Sequence, residues 1–131
     1  MTIEAIQRPI AEEMKAFEPH FREAMRSKVA LLDRVMHYIV KRKGKQMRPM
    51  FTLLSAKQFG PVKDSAFIAA SLIELLHTAT LVHDDIMDGA NTRRMVPTAN
   101  AKWGNALSVL LGDAIFAHAL TLATELAVFA A

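Results

Sequence analysis

Residues 64–88, DSAFIAASLIELLHTATLVHDDIMD, decide how the chain folds. No Gly or Pro interrupts them. Phe67, Ile68, Leu72, Ile73, Leu75, Leu76, Leu81, Val82, Ile86 and Met87 cover every side of a helix. A helix that is apolar all round is one buried among others. Working outward, Ile3, Ile6, Ile10, Met14, Phe17, Phe21 and Met25 recur every three or four residues, the helical period. Pro9 and Pro19 are expected to kink or split that segment. Leu31, Leu32, Val35, Met36, Ile39 and Val40 predict a second amphipathic helix, stopped by a basic run and Gly44. Pro49 suits the first turn of the next apolar segment, which closes at Gly60 and Pro61. On the C-terminal side, residues 89–97 read as a polar loop, and a short segment reaches Gly104. A mainly apolar helix then runs from about Asn105 onward. No alternating strand pattern or internal repeat is visible, so the fold class is all-α, a bundle of long helices.

Composition narrows the function. The chain has 131 residues, 52% hydrophobic and 22% charged, which excludes a disordered tail and fits about one domain. It has no Cys, which excludes disulfides, thiol catalysis and cysteine-ligated metal. The N-terminal region is too charged for a secretory signal. Acids interrupt the most apolar stretch, so no transmembrane segment is expected where about 20 apolar residues are needed. The expected location is the cytoplasm. The net charge of +3 is too mild for a nucleic-acid coat, and no aromatic residues interleave with the cations.

The charges are grouped. Asp84, Asp85 and Asp88 put three acids in five residues where the central helix ends. At helical spacing, Asp84 and Asp88 lie about 40° apart and one turn apart, so both carboxylates reach one site. Acids at a helix C-terminus oppose the macrodipole and repel one another. A bound cation offsets both costs, and hard oxygen ligands suit Mg²⁺, which takes one or two carboxylates, waters and substrate phosphates. The plainer reading is a solvated acidic helix end. His77 projects within about 20° of Asp84 and Thr80 within about 40°, which extends the same face inward. His20, His37, His83 and His118 have no such alignment and read as structural or surface residues.

Lys41, Arg42, Lys43, Lys45 and Arg48 put five cations in eight residues. Lys45 and Arg48, three apart at a helix start, are placed to bind a phosphate. Arg93 and Arg94 follow the acids in the loop that leaves them, and arginine suits bidentate phosphate contacts. Lys41, Arg42 and Lys43 read as solvated surface. No glycine-rich nucleotide loop is present, which argues against ATP or GTP. Acids for Mg²⁺, cations for phosphates and an apolar interior together point to a diphosphate with a hydrocarbon tail.

Gly44-Lys45-Gln46-Met47-Arg48-Pro49, Glu74-Leu75-Leu76-His77-Thr78-Ala79, His83-Asp84-Asp85-Ile86-Met87-Asp88, Arg93-Arg94, Pro97-Thr98-Ala99-Asn100 and Gly112-Asp113 occur in that order. Together they strongly resemble the trans-polyprenyl diphosphate synthases, of the medium- or long-chain, octaprenyl-like kind. The resemblance implies an isoprenoid-synthase helical bundle, of which residues 1–131 would be the N-terminal part, in a chain that looks truncated. It implies a Mg²⁺-dependent prenyltransferase that joins isopentenyl diphosphate to an allylic diphosphate, as in quinone side-chain biosynthesis. Asp84 and Asp88 would hold Mg²⁺ on the allylic diphosphate, with Asp85 in support and Arg93 on the same diphosphate. Lys45, Arg48, His77 and Arg94 would hold isopentenyl diphosphate. The allylic C–O bond would ionise, the alkene would attack the cation, and a proton would leave, driven by positioning and electrostatics.

The resemblance also implies that residues four and five before the first motif Asp limit product length. Here they are Thr80 and Ala79, small enough to leave a channel open. Met95 stands where many relatives have Gly, with little effect expected. The family's second aspartate-rich motif lies beyond this sequence, so the 131-residue chain alone is expected to be inactive. Exposed apolar faces are expected to drive a homodimer or higher assembly. The alternative function is a non-catalytic helical interaction or assembly subunit of such a synthase. A terpene cyclase shares the acidic helix, but has no isopentenyl diphosphate for Lys45 and Arg48 to hold.

Overall fold

The computed structural model describes residues 2–41 and 46–130, without the side chains of residues 40, 41 and 128–130. The helices are α1 (Ile3–Gln7), α2 (Ala11–Ala24), α3 (Ala30–Lys41), α4 (Met47–Lys57), α5 (Asp64–Met87), α6 (Ala99–Trp103) and α7 (Asn105–Ala130). The all-α expectation holds, with one addition. Inside the expected polar loop, β1 (Thr92–Arg93) and β2 (Val96–Pro97) pair antiparallel, Thr92 opposite Pro97 and Arg93 opposite Val96. Two-residue strands are too short to leave an alternating pattern in sequence.

Proline divides the N-terminal segment only once. Pro9 sits in a 3-10 turn, Arg8–Ile10, between α1 and α2. Pro19 is tolerated inside α2, on its exposed side. The later periodic apolar residues behave as their spacing requires, whereas Ile6 is exposed and Ile3 and Met14 are half-buried. Ile10, Phe17, Phe21 and Met25 are buried, and Phe17 stacks on Phe21 with centroids 5.5 Å apart. Val35 and Met36 of α3, Met50 and Leu53 of α4, and Leu111 and Ile115 of α7 join the same core. Pro49 falls in the first turn of α4, behind Gln46, whose backbone is left-handed at φ 51°. The stop expected at Gly44 lies outside the described residues.

The packing of α5 is narrower than its composition predicts. Phe67, Ala70, Ser71, Leu75, Ala79, Val82 and Asp85 form its buried face. Ile73, Thr80, Asp84 and Met87 are exposed. The expectation of burial on every side is therefore corrected: among the described residues, one side of α5 is covered and the other is open. The covered side packs chiefly on α7, with α4 and α2 also against it, and Gly112 sets how closely α7 approaches. A Cβ on Gly112 would run into the imidazole of His83, so only glycine admits that ring between the helices.

By length and composition, α5 and residues Asn105–Ala127 of α7 are long and apolar enough to cross a membrane. Acids interrupt the most apolar stretch, residues 103–131, yet a core helix of a bundle meets the same length and composition criterion. In this fold the two helices pack against each other within the bundle.

Candidate active site

The acidic end of α5 is shaped by its stop signal. Asp88 caps the helix and Gly89 follows in the left-handed region at φ 64°. The Gly89 N–H bonds the Ile86 carbonyl at 3.2 Å, and the Ala90 N–H reaches back to the Asp85 carbonyl at 2.9 Å. These are the two bonds of a Schellman close, which needs the αL residue that glycine provides without strain. The chain leaves α5 abruptly and turns back over its own last turn.

That return brings Arg93 onto Asp85. The Arg93 Nη2 donates to Asp85 Oδ1 at 2.6 Å, and Nε donates to Oδ1 at 3.2 Å and Oδ2 at 3.3 Å. Asp85 is 7% exposed. The hydrogen bond from Arg93 to Asp85, then the charges of Asp85, Asp84 and Asp88, raise the Arg93 pKa despite partial burial. Asp84 and Asp88 instead face solvent. The three neighbouring acids thus split: one is an internal anchor, and two stand free one turn apart. Among the described residues, no three His, Asp or Glu side chains converge as a ready-made metal cage. The pair Asp84 and Asp88 still fits a Mg²⁺ ion that draws its other ligands from water and phosphate.

Three cations act on His77 through their charge. Burial first, then the positive charges of Arg48, Arg93 and Arg94, lower the His77 pKa. Residues from α4, α5 and the hairpin therefore share one electrostatic neighbourhood. Glu74, one turn before His77, has its carboxyl pKa raised by burial, with Arg48 opposing the shift, and its Oε2 is buried without a hydrogen-bond partner. In sequence Glu74 shows only as a lone carboxylate in an apolar run, at the start of the His77 stretch. Lys45, with Arg42, Lys43 and Gly44, lies outside the described residues, as does the Lys41 side chain.

The loop behind the site is knotted by residues whose roles the motif alone did not reveal. Thr98 is fully buried and donates its hydroxyl to the Ala90 carbonyl at 2.9 Å, and Asn100 Nδ2 donates to the same carbonyl at 3.0 Å. The Thr98 hydroxyl also accepts from the Ala101 N–H and so caps α6. Arg94 and Met95 make the hairpin turn with φ 53° and 67°. Two positive φ values in a two-residue hairpin loop are the signature of the type I′ turn, which favours Gly second. Met95 occupies left-handed backbone, where a side chain carries a steric cost that glycine does not.

Thr80 lies on the open side of α5 with Asp84, and its hydroxyl donates to the His77 carbonyl at 2.7 Å. Ala79 is fully buried in the core on the covered side. The two residues expected to limit product length are thus on different faces, as their 100° separation requires. His83 is the structural residue expected: Nε2 lies 3.3 Å from the Val109 carbonyl and 3.5 Å from Asp113 Oδ1. His20 stacks on Phe67 at 4.8 Å.

The polyprenyl synthetase family model matches residues 29–130. The chain belongs to that family. An all-trans-nonaprenyl-diphosphate synthase (geranyl-diphosphate specific) from Rhodobacter capsulatus is 44% identical over 119 residues, 90% of this chain and 37% of that protein. The octaprenyl diphosphate synthase of Escherichia coli (strain K12) is 40% identical over 126 residues, 96% of this chain and 39% of its own. Among solved structures, a decaprenyl diphosphate synthase from Rhodobacter capsulatus superposes with TM-score 0.87 at 38% identity, covering 95% of this chain and 38% of that one. A polyprenyl synthase from Caulobacter crescentus CB15, complexed with calcium and isoprenyl diphosphate, gives TM-score 0.87 at 34% identity, covering 95% and 38%. The chain therefore has the polyprenyl synthase fold and spans about two fifths of the length of these relatives.

Proposed function

We propose that this chain carries the first diphosphate-binding half of a trans-polyprenyl diphosphate synthase, a prenyltransferase that joins isopentenyl diphosphate to an allylic diphosphate. One observation carries the reading: two free carboxylates, Asp84 and Asp88, end the same helix on which His77 lies in the field of Arg48, Arg93 and Arg94. The likeness to octaprenyl and nonaprenyl synthases supports a medium- or long-chain all-trans product.

Asp84 and Asp88 would hold Mg²⁺, which when bound supplies charge neutralisation for a departing diphosphate. Arg94, at the tip of the hairpin, and Arg48, at the start of α4, present guanidinium groups to the phosphate oxygens. The assignment of Lys45 to isopentenyl diphosphate rests on the sequence motif. Arg93 holds Asp85 through Nε and Nη2, fixing the hairpin, and its partly exposed guanidinium would also contact the allylic diphosphate. His77, with its pKa lowered, is neutral at pH 7 and offers a hydrogen bond without adding to the local charge. Thr80 borders the open, apolar side of α5, where a growing tail would lie.

Calorimetric titration of the 131-residue chain with inorganic pyrophosphate and MgCl₂ tests the reading. Binding that disappears in Asp84→Ala is expected; binding unchanged by that substitution sinks it. Product formation from isopentenyl and farnesyl diphosphates is expected to be negligible.

The assembly reading is favoured by one observation. Val109, Leu110, Phe116 and Leu120 are exposed apolar residues on α7. A homodimer or larger assembly through that face is compatible with diphosphate binding, and a relative from Geobacillus stearothermophilus, 35% identical, is a heptaprenyl diphosphate synthase component 2. Cytoplasmic location remains part of the same proposal.

A further inference from the structure

A contact between α3 and the hairpin is not used by the function proposed above. Tyr38 donates its phenolic hydroxyl to the Pro97 carbonyl at 2.7 Å, although 59 residues separate them in sequence. Its ring meets Trp103 edge-on, with centroids 5.0 Å apart and planes at 82°. Lys102 Nζ lies 4.1 Å from the Tyr38 ring centroid and 4.9 Å from that of Trp103. Edge-to-face rings and an ammonium over their faces are each favourable arrangements. Together they fix the direction in which the hydroxyl points.

The target of that hydroxyl matters. Pro97 ends β2 opposite Thr92, and proline has no N–H to give a ladder. The hairpin is only two residue pairs long, and its turn holds Arg94 and Met95 in left-handed backbone. So short a ribbon is not stable by itself. It is held on one strand by the Arg93–Asp85 ion pair and on the other by Tyr38. Those two anchors come from different helices, α5 and α3. The cation pair at the hairpin is thereby set relative to His77, which also feels Arg48.

We propose that Tyr38 is a positioning residue for the diphosphate site: its hydroxyl fixes the hairpin so that Arg93 and Arg94 stand at a set distance from His77 and Arg48. The inference rests on the diphosphate reading. It assigns to α3 a role in binding that neither the acidic motif nor the cations themselves contain.

Tyr38→Phe removes the hydroxyl and keeps the ring on Trp103 and Lys102. Two measurements on the 131-residue chain test the role. In hydrogen exchange, the amides of residues 94–96 are expected to exchange about tenfold faster in Tyr38→Phe, with α5 and α7 unchanged. In calorimetry with inorganic pyrophosphate and MgCl₂, its affinity is expected to fall about fivefold, the loss of one ordinary hydrogen bond. Trp103→Phe, which trims the ring contact but spares the hydroxyl, should lose less affinity than Tyr38→Phe. Equal pyrophosphate affinity in wild type and Tyr38→Phe overturns this proposal alone. So does unchanged exchange at residues 94–96, or an equal loss in Trp103→Phe, which would mark a merely structural cluster. No pyrophosphate binding by the wild-type chain overturns the diphosphate reading and this proposal with it.

Discussion

Asp84 and Asp85 are neighbours in sequence with opposite surroundings. Asp85 points into the fold and takes three hydrogen bonds from Arg93. Asp84 faces water near a helix C-terminus, where a negative charge is unfavourable. Asp85→Asn is therefore expected to destabilise the chain by about 1–2 kcal/mol, reduced from a fully buried pair because Arg93 is partly solvated. Asp84→Asn should leave stability within about 0.5 kcal/mol and abolish Mg²⁺-dependent pyrophosphate binding. Urea denaturation beside calorimetry checks both, and equal stability of the two variants would contradict the split. Glu74 adds a pH test. Burial raises its folded-state pKa above the ordinary carboxyl value of about 4.5, so the native state holds that proton more tightly than the unfolded chain. Its contribution is full below about 4.5 and is lost as pH rises through the folded value. Wild type should lose stability relative to Glu74→Gln over that rise, measured as the difference in Tm between the two proteins from pH 4 to 7. A difference that stays flat with pH contradicts it.

At the scale of elements, sequence periodicity identified much of what packing later used. The apolar spacing in residues 3–25 located the buried faces of α2, and the long run from residue 64 located α5. What sequence could not reveal was which side of α5 would be covered, because an all-round apolar helix carries no directional signal. Nor did the acidic motif distinguish the anchor Asp85 from its free neighbours. Helical geometry separates them by about 100°, but only the return of the hairpin decides which one meets an arginine. The contact of α5 with α7 illustrates the same limit. Gly112 is legible in sequence as part of a motif, whereas nothing in the spacing pairs it with His83. Gly112→Ala is expected to destabilise the chain by about 1–3 kcal/mol through overpacking against His83. Adding His83→Ala should restore part of that loss, so a double-mutant cycle in urea should show a coupling of more than about 0.5 kcal/mol. Strict additivity of the two changes would show that the ring does not set the helix spacing.

For the molecule as a whole, the open question is the outer side of α7, where Leu110 is 64% and Leu120 61% exposed. Neighbouring Val109 and Phe116 make this an apolar face and not a scatter of single residues. Such a face costs free energy in water, and one way to remove that cost is for two copies to meet there. The acid Asp113 on the same helix limits the alternatives, since a lipid interior penalises a carboxylate far more than a wet rim between proteins does. Leu burial recovers about 1.5–3 kcal/mol when complete, and these side chains are already partly covered. Replacing Leu110 and Leu120 by Lys should therefore weaken self-association at least about tenfold, while preserving helix propensity. Sedimentation equilibrium of the wild-type and doubly substituted chains measures the effect. A wild-type chain that stays monomeric at micromolar concentration, or a double variant that associates equally well, excludes this face as the contact. If pyrophosphate affinity also survives the double substitution, assembly and diphosphate binding are separable properties of one fold, the first carried by α7 and the second by the end of α5 with its anchored hairpin.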